Sequence, residues 1–137
     1  PHAAEMARLL GSDVAAIESD RLDCARRAAE EYRAIVVLKG PRTAVAEPGG
    51  RVFVVATGNA GLATAGTGDE LTGLIASLLA QRLSPLAAAL LGAHVHGLAG
   101  DLAREARTEL SLTASDVLEY IPRAYARLKS GGREVAR

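Results

Sequence analysis

A glycine-rich segment at residues 57–68, followed at once by Asp69, is the part of this chain whose residue types best suit chemistry. Its glycines have small or hydroxylated neighbours, so the backbone can approach a ligand closely. Directly after it, leucine and isoleucine recur at helical spacing over residues 71–79, which predicts an amphipathic helix. Gly66, Thr67 and Gly68 are therefore expected at a helix N-terminus, where free N–H groups and the helix dipole attract anions.

Asp69 would lie in the first turn of that helix. A carboxylate in this position can act as the general base toward a hydroxyl that is being phosphorylated. A glycine-rich turn followed by an acidic residue also begins many ordinary helices. The spacing alone leaves both interpretations open, phosphate chemistry and a structural cap.

Lys39 is the second candidate for phosphate binding. It follows a continuous apolar run at residues 35–38, which predicts a strand covered on both faces, and it precedes Gly40 and Pro41. A lysine in a tight turn at the carboxyl end of a strand is well placed to meet a phosphate in an α/β sheet. The alternative is a solvated lysine at a strand end.

The histidines and the single thiol do not predict a metal site, and we expect no metal ligand in this chain. His94 and His96 are two residues apart, so on a helix they point about 200° away from each other and cannot share an ion. Packing or a local hydrogen bond is the better interpretation for both. Cys24 lies in a helical pattern and is expected to be a buried or half-buried structural residue.

The elements that would position these residues follow from apolar periodicity and turn signals. Helices are predicted before the first strand, with terminal signals at Gly11, at Ser12 or Asp13, and near Tyr32. Residues 43–47 and 51–56 predict two strands that are joined by a tight turn at residues 48–50.

Further helices are expected after the glycine-rich segment, over residues 85–107 and from near residue 115. Gly92, Gly97 and Gly100 fall within the first of these, which suggests the close approach of another backbone. Three strands and about six helices together predict an α/β domain with a small sheet.

The 137-residue chain is 49% hydrophobic and 23% charged with a formal net charge of +0, as expected for one globular domain. Balanced charge gives no electrostatic reason to expect nucleic acid or an anionic membrane surface as a partner. We expect no apolar run of transmembrane length, and the first residues do not resemble a signal peptide. The sequence therefore predicts no membrane partner and a cytoplasmic location.

Asp101, Glu105 and Glu109 recur at helical spacing and are expected to form a solvated face.

The order of motifs resembles that of the ADP/ATP-dependent NAD(P)H-hydrate dehydratases, ribokinase-like proteins that repair hydrated nicotinamide cofactors. Residues 1–11 are similar to their Pro-His-Pro-Gly-Glu segment, and residues 37–43 to their nucleotide-contacting Lys-Gly-x-x-Thr stretch. Residues 57–73 resemble the family signature that contains Gly-Thr-Gly-Asp, and residues 96–101 and 112–116 also fit. The chain departs from the family pattern at Ala3 and Ala4, at Ala60, and at Glu70, which replaces a small aliphatic residue.

The resemblance implies a ribokinase-like three-layer α/β/α sandwich of which this chain is the C-terminal half, because family members have a domain about twice this size. Residues 1–129 would form that part of the domain, and residues 130–137 a frayed polar tail. The other half would supply several central strands and part of the substrate pocket.

The activity that the resemblance implies is phosphorylation of the C6 hydroxyl of NADHX or NADPHX by ADP or ATP, followed by loss of phosphate. Asp69 would be the catalytic base, and the backbone of Gly66, Thr67 and Gly68 would form the anion hole. The nucleotide would contact Lys39, Gly40, Pro41, Arg42, Thr43 and Gly68, whereas the substrate would contact His2 and Asp69. Mg²⁺ would bridge the phosphates without a protein ligand in this chain. The resemblance also implies a homo-oligomer, with a tetramer as one candidate.

Two other functions stay open at this point. A small-molecule kinase of the same fold, acting on a vitamin-like alcohol, would use the same Gly-Thr-Gly-Asp chemistry and release a phosphorylated product. A half-domain without catalysis would bind nucleotide weakly or serve only in assembly, and the length of the chain favours this option more than any residue does.

Overall fold

The computed structural model describes residues 1–134, which form helices around a three-stranded sheet. The α-helices are α1 (Ala3–Leu9), α2 (Val14–Ser19), α3 (Arg21–Tyr32), α4 (Thr67–Ala80), α5 (Pro85–Ala106) and α6 (Ala114–Glu134). The strands are β1 (Val36–Leu38), β2 (Ala44–Ala46) and β3 (Val52–Val54). Short 3-10 turns lie at Ala60–Leu62 and Glu109–Ser111.

The sheet has the order β1-β2-β3 and is antiparallel throughout. Val45 of β2 pairs with Val37 of β1 on one side and with Phe53 of β3 on the other. Between β2 and β3 the chain turns at Gly49 and Gly50, whose φ angles of 102° and 90° favour glycine. The predicted strands and hairpin are therefore confirmed, with somewhat shorter strands than the sequence suggested.

Alternating side chains of the sheet pack against helices on both of its faces. Val36 and Leu38 belong to the core formed with α1, α2 and α3. Val37 and Val45 face the opposite way, into a core that includes Leu71 of α4 and side chains of α5. The three-layer α/β/α arrangement is thus confirmed, and β1 is the buried strand that the apolar run predicted.

Local signals explain where the helices begin. The Asp13 carboxylate accepts a hydrogen bond from Ala16 N (2.8 Å), and the Ser84 hydroxyl accepts one from Ala87 N (3.3 Å) just before Pro85. The last helix reaches Glu134, so the first part of the predicted frayed tail at residues 130–137 is helical, and residues 135–137 lie outside the described residues.

Helix α5 occupies the centre of the helical layers, between α4, α6 and the sheet. It is the one helix within residues 1–134 whose length and composition would allow it to cross a membrane, so the expectation that no run reaches that length is wrong. However, 56% of its most apolar window is buried inside the protein, which is typical of the core helix of a folded domain. Cys24 is buried on α3, as expected for a structural thiol.

Candidate functional site

An open cleft of about 970 Å³ lies where the end of β1, the glycine-rich segment and the N-terminus of α4 meet. It brings together most of the residues that the sequence singled out. Its wall includes His2, Lys39, Gly40, Pro41, Arg42, Thr43, Thr67 and Gly68. Residues 56–60 and 62–65 form another wall, and α5 contributes Ala93, His96 and Gly97.

Gly66 directly precedes α4, has a φ of 93° and provides no side-chain cap. Its carbonyl accepts hydrogen bonds from Asp69 N (3.0 Å) and Glu70 N (3.1 Å). Asp69 is exposed on the first turn, and neither Gly66 nor Asp69 lines the cleft itself. Within the described residues the Asp69 carboxylate caps no backbone N–H, which weighs against a purely structural role for it.

Lys39 extends from the end of β1 to this helix N-terminus. Its ammonium nitrogen lies 3.0 Å from the position that a Cβ on Gly68 would occupy, so the glycine leaves room for the lysine. The same nitrogen is 3.7 Å from a Glu5 carboxylate oxygen. The lysine side chain is only 34% exposed. It is thus directed at the predicted phosphate-binding turn, unlike a solvated lysine at a strand end.

His2 stands at the beginning of α1, on the rim of the cleft. Its Nδ1 accepts hydrogen bonds from Ala4 N (3.1 Å) and Glu5 N (3.3 Å), while Glu5 Oε2 accepts one from His2 N (2.7 Å). The hydrogen bond from the His2 backbone is the main reason that the pKa of Glu5 lies below its usual value. Because Nδ1 accepts, the neutral ring carries its proton on Nε2.

The carboxylate of Asp101 connects the glycine-rich segment to α5, contrary to the solvated position that was predicted for it. Asp101 accepts hydrogen bonds from Gly58 N (2.9 Å) and from the Asn59 side-chain amide (3.0 Å). It is half-buried, so the predicted solvated face is wrong at Asp101, whereas Glu105 and Glu109 are exposed as expected. Helical periodicity could not reveal this contact, because the partners lie more than 40 residues away in the chain.

The close approach of another backbone segment explains why residue 97 of α5 is a glycine. A Cβ on Gly97 would lie 2.6 Å from the Thr57 carbonyl oxygen, as the sequence predicted for a glycine within this helix. The Thr57 hydroxyl also donates a hydrogen bond to His94 O (2.9 Å). At the other end of the segment, the buried Thr67 hydroxyl lies within hydrogen-bond distance of Leu62 O and Thr64 O. The segment is therefore held at both ends.

The half-buried Glu70 and the buried His96 lie close to each other behind the helix N-terminus. Glu70 Oε2 and His96 Nε2 lie 3.8 Å apart, and both atoms are buried without a hydrogen-bond partner among the described residues. Burial raises the pKa of Glu70 and is the main cause that lowers the pKa of His96. Glu70 is a departure from the family pattern that the sequence reveals, whereas the position of His96 at the cleft could not be predicted from the sequence.

Acidic residues do not gather into a metal site in the part of the chain that the structure describes, where no three His, Cys, Asp or Glu side chains come together. The cleft instead offers a lysine and helix N–H groups, which suit phosphate oxygens. A Mg²⁺ ion bound through phosphates and water is compatible with these residues, since Mg²⁺ in nucleotide sites keeps several waters.

Comparison with known proteins gives consistent matches. A profile of the NAD(P)H-hydrate dehydratase family matches residues 1–123. The bifunctional NAD(P)H-hydrate repair enzyme Nnr of Moorella thermoacetica is 51% identical over 122 residues, which cover 89% of this chain and 23% of that protein. The ADP-dependent (S)-NAD(P)H-hydrate dehydratase of Neisseria meningitidis is 50% identical over 105 residues, which cover 77% of this chain and 36% of that protein.

Among solved structures, the ADP/ATP-dependent NAD(P)H-hydrate dehydratase of Bacillus subtilis, co-crystallised with ATP and Mg²⁺, superposes with a TM-score of 0.89 at 33% identity. The match covers 93% of this chain and 46% of that chain. A ribokinase-like superfamily protein of Enterococcus faecalis superposes with a TM-score of 0.73 at 31% identity. The chain therefore has the ribokinase-like fold but spans less than half the length of these relatives.

Proposed function

This chain belongs to the NAD(P)H-hydrate dehydratase family, and on that premise we propose that it carries the nucleotide site and the catalytic base of an enzyme that dehydrates NADHX or NADPHX with ADP or ATP. The observation that carries the proposal is the convergence of Lys39 on Gly68 at the N-terminus of α4. The names of the relatives support the choice of co-substrate, since one is called ADP-dependent and another was crystallised with ATP and Mg²⁺.

The phosphates of the nucleotide would lie at the first turn of α4. Backbone N–H groups of Thr67 and Gly68 point out of a helix N-terminus, where the dipole favours negative charge. The Lys39 ammonium adds a full positive charge to the same place. These groups would stabilise the transferring phosphoryl group, a reaction in which positioning and charge dominate.

Asp69 would accept the proton of the substrate hydroxyl. It follows Gly68 directly and is exposed, so a second ligand can reach its carboxylate from the side opposite to the buried face of α4. General-base catalysis requires only that the carboxylate come within hydrogen-bond reach of that hydroxyl. His2, on the rim of the cleft, would contact the hydrated nicotinamide portion.

The experiment that tests this function follows NADPH absorbance after NADPHX is mixed with the longest form of the protein that its gene encodes, in the presence of Mg²⁺ and either ADP or ATP. Recovery of NADPH that requires the nucleotide supports the proposal. Phosphorylation of an alcohol without recovery of NADPH would replace it with the kinase function. Neither reaction, with weak binding of nucleotide or none, would identify a half-domain without catalysis.

A further inference from the structure

Arg21, the first residue of α3, lies beneath the nucleotide loop at residues 39–43 and does not line the cleft. Its Nη2 donates hydrogen bonds to Leu38 O (3.2 Å) and Lys39 O (3.1 Å). Its Nη1 donates to Glu18 Oε1 (3.2 Å), which holds the guanidinium from the other side. The Arg21 side chain is only 14% exposed, so this is a packed contact and not a loose surface pair.

The carbonyls of Leu38 and Lys39 can both accept from Arg21 Nη2 only because the chain turns after β1. In an extended strand successive carbonyls point in opposite directions, so two neighbouring carbonyls do not meet a single donor. After Lys39 the chain continues into Gly40 with a φ of 149°. A Cβ on Gly40 would lie 2.6 Å from Arg21 Nη2 and 2.9 Å from Cζ, so the guanidinium fills the space that a side chain would need.

The backbone of Lys39 is held from both sides. Its N–H donates a hydrogen bond to Pro1 O (2.7 Å), and its carbonyl accepts the one from Arg21. With both backbone groups fixed, the direction in which the side chain leaves the strand is also fixed, and that direction leads to Gly68.

We propose that Arg21 is a positioning residue for nucleotide binding, which holds the turn at Lys39 and Gly40 so that the lysine ammonium reaches the N-terminus of α4. This inference rests on the proposed function of the cleft. Arginine suits the role because its rigid planar fork bridges two acceptors, whereas a lysine presents a single flexible point charge.

The test measures ADP affinity by calorimetry in the full-length protein, with Arg21→Ala and Arg21→Lys compared with the wild type. We expect Arg21→Ala to weaken ADP binding by about 10–100-fold, the size expected when hydrogen bonds from a charged donor are lost. Arg21→Lys should recover only part of the affinity. Added guanidinium, at concentrations that leave the melting temperature unchanged, should partly restore binding to Arg21→Ala, a recovery that a general loss of stability would not produce.

Arg26→Ala is the matched control, because Arg26 lies on the same helix and its guanidinium pairs only with Asp23 in the described part of the chain. It should bind ADP as the wild type does. Equal affinity in Arg21→Ala and the wild type, or an equal loss in both alanine variants, would overturn the proposal. If Arg21→Ala does not fold, the ADP affinity of Arg21→Lys is compared with that of the wild type and of Arg26→Ala in the same way.

Hydrogen exchange at the amides of residues 39, 40, 42 and 43 separates this inference from the proposed function. Without any nucleotide, exchange there should be faster in Arg21→Lys than in the wild type and unchanged in Arg26→Ala. If the wild type binds no nucleotide, the proposed function fails and the positioning role for nucleotide fails with it. If the wild type binds ADP but exchange and affinity are unchanged in the Arg21 variants, the positioning role alone is wrong.

Discussion

Replacement of Glu70 by alanine should stabilise the protein at neutral and alkaline pH, although the residue lies next to the proposed catalytic base. Glu70 Oε2 is buried without a hydrogen-bond partner among the described residues and lies 3.8 Å from His96 Nε2, which is beyond hydrogen-bond distance. A buried polar group that lacks a partner costs about 1–3 kcal/mol. Alanine removes that cost and has the highest helix propensity, so we expect a gain of about 1–2 kcal/mol after the lost side-chain packing is subtracted.

The gain in stability from Glu70→Ala should increase with pH, because the pKa of Glu70 is raised in the folded protein. Burial raises the pKa of Glu70 in the folded state above its value in the unfolded chain. Below the unfolded pKa the carboxyl is neutral in both states, so it carries no charge penalty there. Between the unfolded and the folded pKa the unfolded chain ionises while the native carboxyl stays protonated, so the stability of the native protein falls as pH rises, and the loss is complete above the folded pKa. The benefit of Glu70→Ala should therefore be smaller near about pH 4 than near about pH 8.

Thermal unfolding of the full-length protein, followed by circular dichroism at both pH values, measures this difference. A gain of the expected size corresponds to an increase of about 2–8 °C in melting temperature for a domain of this class. Glu105→Ala is the control, since Glu105 is an exposed carboxylate on a helix, and it should change the melting temperature little at either pH. A loss of stability in Glu70→Ala at alkaline pH would refute the reasoning and would mean that the packing of the Glu70 side chain, or a hydrogen bond from the neutral His96 ring, outweighs the cost of burying the carboxylate.

Further predictions concern the two walls of the cleft. Lys39→Ala should weaken ADP or ATP binding by about 1.5–3 kcal/mol, the value for a hydrogen bond to a charged group, and unchanged affinity in calorimetry would make Lys39 a surface lysine. Gly97→Ala should destabilise the fold by about 1–3 kcal/mol, because the alanine Cβ would lie 2.6 Å from the Thr57 carbonyl oxygen. An unchanged midpoint of chemical denaturation would contradict that packing. Asp101→Ala should increase proteolysis of the glycine-rich segment, because Gly58 N loses its acceptor, whereas Glu105→Ala should leave the cleavage pattern unchanged.

Elements with local signals could be predicted from the sequence. The hairpin followed from two glycines after a proline, and the starts of α2 and α5 followed from Asp13 and Ser84, because in each case the interacting groups are within a few residues of each other. The buried strand β1 followed from an apolar run that is covered by helices on both faces.

Contacts between distant segments could not be predicted in this way. The sequence shows that Asp101 and Glu105 share a helical face, but not that a glycine-rich segment covers only one of them. The pairing of Glu70 with His96 and the contact of Arg21 with the end of β1 likewise depend on how separate helices pack. Periodicity describes one helix at a time, so it cannot identify the surface on which another element will lie.

The division into residues 1–129 and a tail, the roles of the individual site residues, the homo-oligomeric state and the cytoplasmic location stay predictions from the sequence. The site predictions have gained a geometric basis, because His2, Lys39–Thr43, Thr67 and Gly68 line one cleft.

The central claim, that Asp69 is the base of a nucleotide-dependent dehydratase, is tested most directly by Asp69→Asn in the full-length protein. The measurement compares the rate of NADPH recovery from NADPHX with the affinity for ADP in the same preparation. We expect the rate to fall by about 10²–10⁴-fold or more, the usual contribution of a general base, while ADP affinity stays equal or improves because a negative charge near the phosphates is removed. An Asp69→Asn variant that dehydrates NADPHX at the wild-type rate would contradict the account.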